Sequence, residues 1–220
     1  MALRRLLSRK PAVSPERAAH IARYDAESAP VIEALRADGL AIDRLPQLHA
    51  GELDDYSEHL PVLVEWLGRV TYPPVVESLA RALTVPAARG TEAVPALIDA
   101  LRSVPADAEL ERQALGNAIG FTAGASDFDT VVSLVRDPAT GAARATLIDY
   151  FGRMKAKAVR DRSIEVLRSL LEDFDDLGRY ALAPLGRLKA SEARTDIEPF
   201  LEHPQDWVRD DARRALAKLG

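Results

Sequence analysis

The sequence predicts an all-α protein: a right-handed α-α superhelix of about five stacked helical hairpins behind an N-terminal helical cap. Three observations lead there. The chain of 220 residues is 47% hydrophobic but only 5% aromatic, and its abundant alanine, leucine and arginine favour helices packed through small and aliphatic side chains over a sheet of β-branched and aromatic ones. Apolar residues recur at helical spacing in paired segments, separated by short breaks containing Pro, Gly or Asp. The pairs themselves repeat with a period of 31 to 36 residues, which is the signature of a stacked helical array.

Residues 1–12 read as a flexible basic tail. They hold three leucines among arginines and a lysine, with no apolar run of a secretory signal and no small-residue cleavage site. Residues 13–56 read as the cap, with one helix from Pro15 to Asp25, another from Ser28 to Asp38 ending at Gly39, and a short one from Leu45 to His49. A polar unit is expected there because the end of an array must present a wettable outer face. Five hairpins follow, at 57–85, 91–121, 126–154, 158–189 and 191–220.

The first helix of each hairpin aligns through Leu60, Val94, Phe128, Ile164 and Ile197. The second aligns through Val75, Leu110, Ala143, Leu177 and Val208; four residues on come Leu79, Ala114, Leu147, Ala181 and Ala212, then Leu83, Ala118, Phe151, Leu185 and Leu216. Positions i, i+4 and i+8 share one helix face, so each second helix is expected to bury an equivalent stripe. A single short hairpin cannot bury its stripe alone, and stacking supplies the missing cover.

The terminal unit, from Phe200 to Gly220 with Asp206, Val208-Arg209, Ala212, Ala215-Leu216 and Leu219-Gly220, resembles a short HEAT repeat of the phycobilin-lyase-like type. Asp176, Leu177, Arg179, Ala181, Leu185-Gly186 and Leu188 echo it, and Ala143-Arg144, Leu147, Phe151-Gly152 and Met154 do so more distantly. Prolines in the first turns of the first helices, Pro61, Pro95 and Pro199, also resemble HEAT units; proline is cheap there because that amide has no intrahelical partner. The resemblance covers about residues 57 to 220, and the whole chain is similar to bacterial HEAT-repeat proteins of uncharacterised function. It implies a cytoplasmic scaffold and leaves the ligand open.

Composition narrows the chemistry. The chain has no cysteine, which removes disulfides and thiolate sites. His20, His49, His59 and His203 stand in four different elements, none spaced to share a metal with another, so surface or turn positions are expected. HEAT hydroxylases bind iron through His-Glu dipeptides, and here only the reverse order occurs, at Glu58-His59 and Glu202-His203. Phosphate loops of the Walker and dinucleotide types and the Gly-x-Ser-x-Gly elbow are absent. Asp173, Asp175 and Asp176 are expected to cap a helix. No cofactor, metal or catalytic residue is expected, and no stretch is long enough to cross a membrane.

The net charge of −5 is the wrong sign for phosphate neutralisation and disfavours nucleic acid. It also argues against the HEAT-like DNA glycosylases, which use a basic concave face; Trp66 reads as core packing and Trp207 as cover for the last hairpin. Ten acids between Asp25 and Glu65 face only Arg36 and Arg44, a patch that would suit a basic partner in an adaptor or toxin-neutralising role. The expected function is non-catalytic protein binding; an accessory resembling phycobilin lyases is the alternative. In HEAT-like arrays the second helices line the concave surface. Their positions outside the buried columns, Glu77, Arg81, Arg112, Gln113, Asn117, Thr146, Asp149, Tyr150, Arg179 and Tyr180, are therefore the candidate contact residues, with arginine and tyrosine favoured as interface anchors.

Overall fold

The computed structural model describes residues 14–53, 55–172 and 177–219. The basic tail, the Asp173, Asp175 and Asp176 linker and Gly220 lie outside them. The described chain is helical, and among the described residues there is no strand.

Helix α1, Pro15–Ala37, starts where the Ser14 hydroxyl accepts the Arg17 amide at 3.3 Å, with Pro15 in the first turn. The cap is thus one helix where the sequence suggested two. Ser28, which reads as a helix start, instead turns its hydroxyl back to donate to the Asp25 carbonyl at 3.2 Å, and the helix runs on through Pro30. Only its second half is buried, through Val31, Ile32 and Leu35. The expected short helix is a 3-10 turn, Leu45–Leu48.

Five helix pairs follow: α2 (Leu60–Leu67) with α3 (Pro73–Ala82), α4 (Ala93–Ser103) with α5 (Glu109–Thr122), α6 (Phe128–Arg136) with α7 (Ala143–Leu147), α8 (Lys157–Leu171) with α9 (Leu182–Arg187), and α10 (Arg194–Ile197) with α11 (Asp206–Leu216). A 3-10 stretch, Ile148–Arg153, prolongs α7, and another, Glu198–Glu202, prolongs α10. Second helices pack each on the next: α3 on α5, α5 on α7, the 148–153 stretch on α9, and α9 on α11. Helix α1 packs against α2 and α3.

All five first-helix column residues are buried, as are Leu79, Ala114, Leu147, Ala181 and Ala212. One column residue is misplaced. Leu110 is 69% exposed, because the stripe of α5 runs one residue later: Leu115 and Ile119 are its fully buried large side chains, and Ala114 and Ala118 sit beside them.

The one-residue shift explains Arg112. It aligns with Arg144 and Arg209, which donate to carbonyls at the end of the preceding first helix, Arg144 to Val135 at 2.8 Å and Arg209 to His203 at 2.6 Å. Arg112 donates in the same way to Leu101 at 3.1 Å and Val104 at 2.8 Å, and also to Ala139 at 2.7 Å in the turn before α7. The Leu101 carbonyl needs such a donor, because the residue four positions on is Pro105, which has no N–H. Gly141 completes the turn at φ 58°, and a Cβ there would stand 3.3 Å from Arg112 Nε.

A recurring glycine allows two of the second-helix contacts to be close. Gly120, Gly152 and Gly186 occupy equivalent positions; a Cβ on Gly152 would meet Pro184 Cα at 2.9 Å, and one on Gly186 would meet Ala215 Cα at 3.2 Å.

Candidate contact face

The structure divides the candidate residues. Arg112 is 5% exposed and Tyr150 fully buried, so neither can touch a partner. Tyr150 belongs to the 3-10 stretch, where residues three apart eclipse; it therefore falls over fully buried Leu147 and donates its hydroxyl to the Gly124 carbonyl at 2.7 Å, and burial raises its pKa. Glu77, Arg81, Gln113, Asn117, Thr146, Asp149, Arg179 and Tyr180 keep exposed or half-exposed side chains. Thr146 is half committed, donating to the Ala143 carbonyl at 3.0 Å and the Gln113 carbonyl at 3.1 Å.

Three places on the second helices concentrate polar and aromatic groups. The first is a cleft of about 450 Å³ where the Leu48–Tyr56 segment meets α3 and α5, with His49, Tyr56, Arg81, Thr84 and Asn117 in its walls. Arg81 pairs with Glu77 at 2.7 Å. Desolvation, and then the Arg81 cation, hold the His49 imidazole below the ordinary histidine range. The Tyr56 hydroxyl donates to the Ala82 carbonyl at 2.7 Å, and burial pushes its pKa up to about 12. The walls offer hydrogen bonds from an imidazole, an amide and a paired guanidinium.

The second place lies at the far ends of the same helices. Ile119-Gly120-Phe121, Phe151-Gly152-Arg153 and Leu185-Gly186-Arg187 are equivalent tripeptides, and their last residues meet. Arg153 lies 5.4 Å from the Phe121 ring, and Arg89, from the turn after α3, lies 4.4 Å over it. Arg89 Nε also donates to the Phe121 carbonyl at 3.3 Å. Arg187 grips both oxygens of Asp149, one at 3.0 Å, and that grip is the main cause holding the Asp149 carboxyl below its usual range. Burial is the main cause lowering the Arg153 pKa; Asp149 opposes it, while Arg89 and Arg187 add to it. The sequence carried a signal for this cluster in the repeated Gly-Arg ending, but the columns stopped before the glycine.

The third place is the start of α9 and α11. Arg179 stacks 4.6 Å over the Tyr180 ring and 5.9 Å from the Trp207 ring. Tyr180 is 38% and Trp207 44% exposed, so Trp207 is a surface group as well as a cover. Trp66 packs against the core as expected.

Elsewhere His59 is buried, not on the surface, with Nδ1 2.8 Å from Asp38. Among the described residues, four of the ten acids of the acidic stretch pair with arginines of the chain: Glu27 with Arg23, Asp43 with Arg36, Glu52 with Arg44 and Glu65 with Arg69. Among the described residues, no three or more histidines and carboxylates come together as a metal site, and no helix is long and apolar enough to cross a membrane.

Comparison with family models, with curated proteins and with solved structures finds no match to this chain.

Proposed function

We propose that this chain is a non-catalytic protein-binding scaffold, a right-handed α-α superhelix of HEAT-like repeats that holds a partner on the exposed face of its second helices. Support for the repeat reading comes from the recurring buried columns, the arginines that close the ends of first helices, and the sequential packing of second helices. Support for binding comes chiefly from one observation: Arg179, Tyr180 and Trp207 form an exposed stack. Arg, Tyr and Trp are the side chains that dominate binding energy at interfaces. An arginine held between two rings is also ordered in advance, so little freedom is lost when a partner covers it.

The test is affinity capture from the native cell, comparing the wild-type chain with Tyr180→Ala/Trp207→Ala and with Arg102→Ala, a surface change remote from the stack. Loss of two such anchors is expected to cost about 2 kcal/mol or more, roughly a 30-fold drop in affinity. A partner recovered equally by all three proteins would refute the assignment of this face.

A further inference from the structure

We propose that Arg89, Arg153 and Arg187 form a carboxylate-binding site that receives an acidic segment of the partner protein. This rests on the scaffold reading and adds the chemistry of what is held. Each arginine alone has an ordinary explanation, since cations are favoured at helix C-termini and Arg187 has a salt-bridge partner in Asp149. That account does not explain why Arg153 and Arg187, from consecutive pairs, both lie beside Asp149, while Arg89 lies over the same Phe121 ring as Arg153. Nor does it explain Arg153, whose Nη2 is shielded from solvent and has no hydrogen-bond partner among the described residues.

The imbalance has a definite chemical complement. A guanidinium offers a planar fork of donors that a carboxylate matches with two parallel bonds, and a half-buried cation with too little opposing charge gains most from one. The Phe121 ring, with Arg89 at 4.4 Å and Arg153 at 5.4 Å from its centre, holds the two guanidinium groups near each other. The same ridge continues along α5 through Asn117, one turn before Phe121 on the same face, into the cleft beside Arg81. An extended acidic segment could therefore run from one to the other. A nucleic-acid backbone draws its affinity from neutralising phosphates along a run of cations, and Glu77 and Asp149 interrupt that run here, whereas one glutamate side chain needs a single guanidinium fork.

The probe is a fluorescein-labelled hexaglutamate peptide, read by anisotropy at low salt. The wild-type chain is expected to bind it, Arg153→Gln to weaken binding about 10-fold or more, and Asp149→Asn to tighten it about 3-fold or more by removing the competing carboxylate. A purely structural role for the cluster would not produce that gain. Circular dichroism checks folding, and exposed Arg89→Gln replaces Arg153→Gln if that variant unfolds. No binding by the wild-type chain, equal binding by the arginine variants, or weaker binding by Asp149→Asn each overturns the proposal. So does equal affinity for a single-stranded oligodeoxynucleotide of the same charge, which would point to nucleic acid. If the peptide fails while Tyr180→Ala/Trp207→Ala still loses its partner from cells, the scaffold reading stands and only the carboxylate site falls.

Discussion

Replacing Arg112 separates a structural arginine from a contact arginine. Its guanidinium is 5% exposed and donates three hydrogen bonds, to Leu101, Val104 and Ala139. Bonds from a charged donor contribute about 1.5–3 kcal/mol each, but removing the side chain also ends the cost of burying the cation. A neighbouring cleft of about 400 Å³ can let water reach the abandoned carbonyls. The net loss for Arg112→Ala is therefore about 3–4 kcal/mol, or roughly 10 °C in Tm for a chain of this length. Arg112→Lys should recover less than half, because an ammonium cannot span acceptors in two turns as a planar fork does. The assay is urea unfolding followed by far-ultraviolet circular dichroism, with surface Arg102→Ala as a control expected to change stability by about 0.5 kcal/mol or less. If Arg112→Ala moves the midpoint no further than Arg102→Ala, the stapling role is wrong.

Gly116→Ala sets helix propensity against packing. Alanine gains up to about 1 kcal/mol in a helix, but its Cβ would stand 2.6 Å from the Ala143 carbonyl oxygen and against the Thr146 hydroxyl, so a net loss of about 2 kcal/mol is expected in the same urea assay; Gly68→Ala, whose Cβ would meet only the Glu65 carbonyl at 3.6 Å, should be neutral or stabilising. Tyr56 makes stability depend on alkaline pH. Its folded pKa is raised to about 12, so its contribution is complete below the unfolded value near pH ~10 and is lost as pH rises through about 12. Tyr56→Phe should be less stable than wild type by about 1 kcal/mol at neutral pH, and urea midpoints should show that gap closing across the alkaline range.

The fold was legible in the first helices. Leu60, Val94, Phe128, Ile164 and Ile197 recur there, and periodicity placed all five in the core. Helix α5 defeated it because its apolar arc is wide: Ala114, Leu115, Ala118 and Ile119 are all buried, so two alignments a residue apart look equally good. One residue is 100° of rotation, enough to carry Arg112 from the surface to the interior. Tyr150 was misplaced for a different reason, since hydrophobic spacing does not reveal that the backbone tightens from α to 3-10 after Leu147. Exposure was legible for eight of the ten candidate positions, Arg179 and Tyr180 among them. The charge clustering was not, because Arg89 reaches Phe121 from a turn 32 residues away, and only folding brings those groups together.

The close approach at Gly152 and Gly186 would bear on recognition by a partner. Where two backbones nearly touch, sliding one helix along its neighbour by a single step would drive a Cβ into the neighbouring backbone, so the longitudinal offset between the two helices is locked. Side chains on the outer ridge are thereby spaced as marks on a ruler. A ligand that reads several of them at once is selected by length as much as by chemistry.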